Sequence, residues 1–326
     1  MHVALYFWDR LPVSGYGGTQ RAIVNLARGL AELGHRVTLV AGEGSRVPEA
    51  NVVEVDLALA RRPEFDIAPL LPAGLDLLTA FAPLRVAPPL PWIRRLAGNW
   101  KPGTVGPPNT LYVSADHARR HGGRAFVYNG VDPREYPFRP DKAGHDLFLG
   151  RLHHVKGYRW AVEGARRARR RLIVAGGWRP SLSRYVRYAG RVAGERRMAL
   201  LGGARCLWMP ALWDEPCANV LLEAMMTGTP ILGTHRGCLP EIVSRDVGRL
   251  GDSVEELVAL TPEIERLSPE ACRSRAERHF SHLAMAAGYV RVFREFLATG
   301  ELPDGRLMDA DGGVAGRGTL GQSSSA

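Results

Sequence analysis

The chain has 326 residues, long for a single core and suited to two compact domains. Apolar residues make up 45% and charged residues 23%, which excludes a disordered chain, and no apolar run reaches the ~18 to 20 residues that cross a membrane. The formal charge of +10 rests almost wholly on arginine, Lys101, Lys142 and Lys156 being the only lysines; it favours nucleotides, phospholipid headgroups or nucleic acid without choosing among them.

The chain opens with "MHVALYFWDRLP", which lacks a basic leader, so a cytoplasmic protein is expected. "HVALYFW" reads as a buried strand and runs into the Pro/Gly loop "DRLPVSGYGG". Ile23, Leu26, Leu30 and Leu33 then recur at helical steps, with Thr19 expected as N-cap, and "RVTLVAG" (36–42) returns to strand. A strand, glycine loop, helix, strand unit favours a parallel sheet. Residues 57–96 carry too many prolines for clean elements. "NTLYVS" reads as a strand, and "FVYNGVDPREYPFRPDKAGHD" as a strand leading into a linker. Beyond it, strands are expected at "DLFLGRL", "RLIVAGG", "CLWMPAL", "TPILGT" and "VGRLG", with helices over 157–169, 195–203, 219–227 and 253–260. Cys206, Cys217, Cys238 and Cys272 show neither a CxxC pair nor zinc spacing, which fits reduced thiols packed as small hydrophobes. The expected architecture is therefore α/β: two Rossmann-like, doubly wound domains facing across a cleft. They cover 1–140 and 141–282, with a helix over 283–299 crossing back and a disordered tail over 300–326.

In "WDEPCANVLLEA", Glu215 and Glu223 stand eight positions apart, about 80° round a continuous helix, an awkward spacing for one ligand. Pro216 disfavours helix at Glu215, so that residue belongs to the loop at a strand's carboxyl end. Glu223 falls one turn into the next helix, which Asn219 can cap. A loop carboxylate and a helix carboxylate can then face one ligand over that helix N-terminus. Two solvated surface acids are the bland alternative.

"PALWDEPCANVLLEAMMTGTPILGTHRGCLPEIV" resembles the signature of the GT-B-fold retaining glycosyltransferases of family four. "FLGRLHHVKGYRWAVEGA", "GYGGTQRAIVNLARGLAELGHRVTLVAG" and "VYNGVD" resemble the same family's phosphate-binding segment, glycine loop and interdomain linker. The resemblance covers roughly residues 1–56 and 98–299. It implies a donor that is a nucleotide-diphosphate sugar, with no metal and no other cofactor. It implies that Glu223 holds the ribose hydroxyls, that Glu215 accepts from a hydroxyl of the donor sugar, and that Arg151 and Lys156 clamp the diphosphate. Backbone N–H groups of Cys217, Ala218, Asn219 and Val220 suit the diphosphate at a helix N-terminus. Gly17 and Gly18 bring backbone close to the donor, and Gly190, Arg191 and Val192 border the base. A lysine at 156, in a chain that nearly always uses arginine, fits a need for a compact point charge. The implied acceptor is a small molecule, a glycan or a lipid-linked species, the last reached at a membrane surface by a basic face.

Three tempting sites are set aside. "DAD" (309–311) mimics a metal motif but sits in a Gly-rich tail; His117 and His121 have zinc-like spacing but no third ligand, and are expected at the surface. "ARRARRR" (165–171) reads as a solvated face rather than a nucleic-acid contact. The sequence departs from the family at two places: Cys217-Ala218 replaces Phe-Gly, and "RRLAGNWKPG" puts Ala97 where its members carry a histidine. That departure favours, as the alternative, a degenerate nucleotide-sugar-binding protein; a GT-B epimerase fits the combined motifs less well.

Overall fold

A computed structural model describes residues 1–305 apart from Ser14 and Tyr16. The first unit contains β1 (His2–Phe7), α1 (Gly18–Glu32), β2 (Arg36–Gly42), β3 (Asn51–Val55), α2 (Leu57–Ala60), β4 (Leu77–Ala80), β5 (Trp92–Arg95), β6 (Thr110–Leu111) and α3 (Ala115–Arg120). The second contains β7 (His145–Leu149), α4 (Tyr158–Arg167), β8 (Leu172–Ala175), β9 (Val186–Gly190), α5 (Gly194–Gly202), β10 (Ala204–Met209) and α6 (Asn219–Met226). It continues with β11 (Ile231–Gly233), α7 (Leu239–Ile242), β12 (Gly248–Leu250), α8 (Val254–Ile264) and α9 (Pro269–Phe280), and the chain then enters α10 (His282–Thr299).

Each unit forms one six-stranded parallel sheet, ordered β3-β2-β1-β4-β5-β6 and β12-β11-β10-β7-β8-β9. Counted from its own first strand, the second sheet repeats the order of the first, the 3-2-1-4-5-6 order of a doubly wound fold. Central strands such as "HVALYF" and "ARCLWM" are almost entirely buried, because helices cover both faces and leave no solvent side for alternation. Ile23, Leu26 and Leu30 of α1 share one core with Met285, Ala286, Tyr289 and Phe293 of α10, so the last helix packs on the first unit. In the second unit Asp146 is fully buried. It accepts from Arg170 Nε and Nη2 (2.6 and 2.9 Å), Arg205 Nε (3.1 Å) and Trp208 Nε1 (3.0 Å), so its charge is paired and its lone pairs are filled.

Several local expectations are corrected. The proline-rich stretch 57–96 contains β4 and β5, both parallel members of the first sheet. "NTLYVS" yields only the two-residue β6, and "FVYNG" contributes an isolated bridge from Phe126 to Tyr112. Thr19 does not cap α1: the helix begins one residue earlier, with Gly17 at the N-cap and no side-chain cap. α8 passes through Pro262 to Ile264, whose burial outweighs one lost backbone bond in the last turn. Arg170 in "ARRARRR" is buried on Asp146 rather than solvated. His117 and His121 are not surface histidines: they are 0% and 2% exposed and pack with Tyr112, and His117 Nε2 and His121 Nδ1 face the carbonyls of Gly98 and Thr104. The chain past Gly300 runs on to Gly305, whose N–H donates to Arg124 O at 3.1 Å, so the disordered tail does not start at 300. The "DAD" triplet lies outside the described residues.

Candidate functional site

Reversal of strand order puts the open crevice of the second sheet between β7 and β10, at their carboxyl ends. Lys156 and Glu215 arrive there from the two loops. Lys156 ends a 3₁₀ turn, His154–Lys156, just beyond β7. Gly157 follows with φ +70°, and a Cβ there would stand 1.7 Å from Pro210 O, so only glycine lets the turn lie flat against the loop after β10. That contact brings Lys156 Nζ to 2.6 Å from Glu215 Oε2, with side chains 11% and 9% exposed. Trp213 Nε1 donates to the same oxygen at 2.7 Å, and Lys156 Nζ lies 4.8 Å over the Trp213 ring. From the far side Gly237 presses on the Glu215 backbone, where a Cβ would meet Glu215 N at 2.3 Å, and Cys238 N–H donates to Glu215 O at 2.9 Å.

Glu223 lies inside α6 and is 2% exposed. It accepts from Tyr136 Oη at 3.1 Å and is ion-paired with Arg197 of α5. Burial and the neighbouring Glu223 charge push the Tyr136 hydroxyl pKa upward, so Tyr136 remains a donor. Burial alone would weaken Arg197 as a base, but Glu223 overrides that and holds it protonated. Both carboxylates are therefore buried and paired with separate cations, which disposes of the solvated-acid alternative.

Asn219 does not cap α6 with its side chain, as the sequence led us to expect. Ala218 occupies the N-cap, and the Asn219 amide reaches outward instead. Its Nδ2 donates to Gly18 O at 3.0 Å, and its Oδ1 accepts from Asn129 Nδ2 at 2.7 Å. The first turn of α6, with its N–H groups lacking intrahelical acceptors, thus faces the Gly17–Gly18 turn that follows β1.

The first unit also grips the loop that carries Glu215. Asn99 Nδ2 donates to Asp214 O at 2.8 Å and Ser114 Oγ to Pro216 O at 2.7 Å. Glu241 of α7 returns the grip, accepting from the N–H groups of Ala115 and Asp116 (2.9 and 2.6 Å) at the start of α3 and from Tyr128 Oη (2.8 Å). Burial pushes the Glu241 carboxyl pKa up, although those donors pull it down.

Arg151 is exposed beyond β7, Arg191 is exposed, and Val192 is half-buried against the second core together with Cys217 and Val220. Ala97 lies in the loop beyond β5, half-buried. Arg197, Tyr136, Trp213, Asn129 and Glu241 belong to the site but were given no role from sequence. Trp213 and Glu241 stood inside quoted motifs; Arg197 and Tyr136 are 26 and 87 residues from Glu223 and carry no local signal. Among the described residues no three His, Cys, Asp or Glu side chains gather as a metal site, and no helix is long and apolar enough to cross a membrane.

Residues 145–267 match the family model described as "Glycosyl transferases group 1". The chain is 30% identical to AviGT4, a glycosyltransferase involved in Avilamycin A biosynthesis. The two structures superpose with a TM-score of 0.76 over 92% of this chain and 99% of that one. It is 27% identical to the glycogen synthase of Mycobacterium tuberculosis across 51% of this chain and 47% of that protein, so the match spans about half the length of this curated relative. The Anabaena protein HepE, solved with UDP-glucose, shares the fold at 14% identity, with a TM-score of 0.64 over 90% of this chain and 99% of that one.

Proposed function

The chain belongs to the GT-B glycosyltransferases, and from that premise we propose that it moves a sugar from a nucleotide-diphosphate sugar to an acceptor with retention of anomeric configuration. The observation that carries this reading is the convergence of Lys156, Glu215 and the start of α6 at the switch point of the second sheet, opposite the Gly18 turn. A helix N-terminus and a buried ammonium together suit a diphosphate. Lys156 and Arg151 would bind it, with the N–H groups of Cys217, Ala218, Asn219 and Val220 completing the cradle. Gly17 and Gly18 would close on it from the first unit. Glu223 would hold the ribose, which requires it to share its oxygens with Arg197 and Tyr136, and Arg191 and Val192 would border the base. Glu215, fixed by Lys156 and Trp213, would accept from a hydroxyl of the donor sugar through its remaining lone pairs.

In the reaction the bond from the anomeric carbon to the diphosphate oxygen breaks and a bond to the acceptor oxygen forms. The acceptor's proton passes to the departing phosphate oxygen. Lys156 and the α6 N–H groups would stabilise the charge that grows on that oxygen, and the loops from both units would fix the two substrates in line. No metal or other cofactor is assigned to the step.

The acceptor classes that fit are a small molecule, a glycan, or a lipid-linked species met at a membrane surface. HepE's complex with UDP-glucose makes that compound the first donor to try. Incubation with UDP-glucose and simple acceptors, followed by NMR of the anomeric proton, tests the reading. An α-linked product from the α-linked donor is expected, and a β-linked product would refute retention. Ala97 favours a second reading, a nucleotide-sugar binder with little turnover; tight donor binding without any transfer or hydrolysis would establish it.

A further inference from the structure

Arg95, the last residue of β5, is 3% exposed, yet the groups that meet its guanidinium are neutral. Nε donates to Tyr289 Oη at 3.2 Å, Nη2 donates to Asn129 Oδ1, and the group stacks 5.5 Å over the Phe81 ring. Among the described residues no carboxylate pairs with it. A buried cation without a counter-charge is costly, so its structural value alone does not explain it.

Its donors offer an explanation. A guanidinium can donate but cannot accept. Asn129 must therefore turn Oδ1 toward Arg95, which sends its NH₂ to Asn219 Oδ1, 2.7 Å away. Asn219 is then obliged to aim its own NH₂ at Gly18 O, 3.0 Å away. The linker backbone is pinned independently, since Asn25 Nδ2 donates to Gly130 O at 3.0 Å. What Arg95 decides is the orientation of two amides between the walls of the cleft.

We propose that Arg95 is a positioning residue: acting through Asn129 and Asn219, it holds the first turn of α6 and the Gly18 turn at one separation and so sets the aperture that receives the donor's diphosphate. The donor's location rests on the function proposed above; the relay itself does not.

Asn129→Asp is the discriminating variant. A carboxylate still accepts from Arg95, now as an ion pair, so the buried contact is retained, but it has no proton for Asn219 Oδ1 and the relay breaks there. The variant is expected to melt at or above the wild-type temperature, to bind UDP about tenfold more weakly by calorimetry, and to show faster amide hydrogen exchange at residues 18–22 and 219–222. Arg95→Lys, which keeps a donor, is expected to bind UDP within about threefold of wild type, and Arg95→Met to lose as much affinity as Asn129→Asp. Unchanged exchange in Asn129→Asp would overturn the proposal. That holds even if UDP bound more weakly, because neutralising Arg95 would then account for the loss. Wild-type protein that bound no nucleoside diphosphate would refute the donor reading, while the exchange comparison would still decide the relay.

Discussion

Lys156 and Glu215 are a buried ion pair whose partners come from loops 59 residues apart. Removing one member leaves the other as an unpaired charge with little water to solvate it. Lys156→Met is expected to destabilise the fold by about 3 to 5 kcal/mol, and Lys156→Met with Glu215→Leu to recover most of that loss. Urea unfolding of the two variants checks this; a double variant no more stable than the single one would contradict it. Both residues were legible in the sequence, Glu215 because Pro216 puts it in a loop and Lys156 because its segment resembles the family's phosphate-binding motif and it is one of only three lysines in the chain. Arg197 and Tyr136 were not. Their contact with Glu223 depends on how α5 and the linker fold over α6, and nothing within a few residues of either announces it.

At the scale of an element, the turn from β7 into α4 is set by Gly157. Gly157→Ala would force a Cβ into Pro210 O at a positive φ. The φ alone would cost more than the ~1 kcal/mol at which glycine replacements are ordinarily felt, and the clash would add to it. A fall in melting temperature of at least about 4 °C is expected by calorimetry, and an unchanged melting temperature would show that the turn relaxes freely. Within α3, His117 gives a pH effect. Burial, with His121 and Arg120 nearby, lowers the His117 pKa from 6.5 to about 3 in the fold. The unfolded chain takes up that proton below 6.5, so His117's contribution is complete above 6.5 and is lost as pH falls toward 3. The slope is at most about 1.4 kcal/mol per pH unit. Stability measured from pH 7 to 4 should therefore fall more steeply in wild type than in His117→Gln, and equal slopes would contradict the assignment. The central strands of the second unit were readable as apolar runs because both faces of their sheet are covered, whereas the edge strand β9, "VRYAG", has only Val186 fully buried and was missed. β4 and β5 escaped because each is four residues long and flanked by prolines, so that pairing with β1 and with each other, rather than local pattern, makes them strands.

At the scale of the whole molecule, one strand order occurs twice, and the two sheets meet through contacts that close around the Glu215 loop and the start of α6. The chain carries a net charge of +10, which favours the approach of anions to the molecule as a whole. Nucleoside diphosphate affinity is accordingly expected to fall as NaCl rises from about 50 to 300 mM, as the screening length shortens; an affinity independent of salt would show that the positive charge plays no part in binding. The most direct measurement is calorimetric titration of wild type and Glu223→Gln with UDP, GDP, ADP and dTDP. Calorimetry is chosen over melting because the substitution also weakens the Arg197 contact and shifts stability by itself. Saturable binding of one nucleotide by wild type, weakened at least about tenfold in Glu223→Gln, is the expected result. Failure of all four nucleotides to bind wild type would contradict the donor site at its centre.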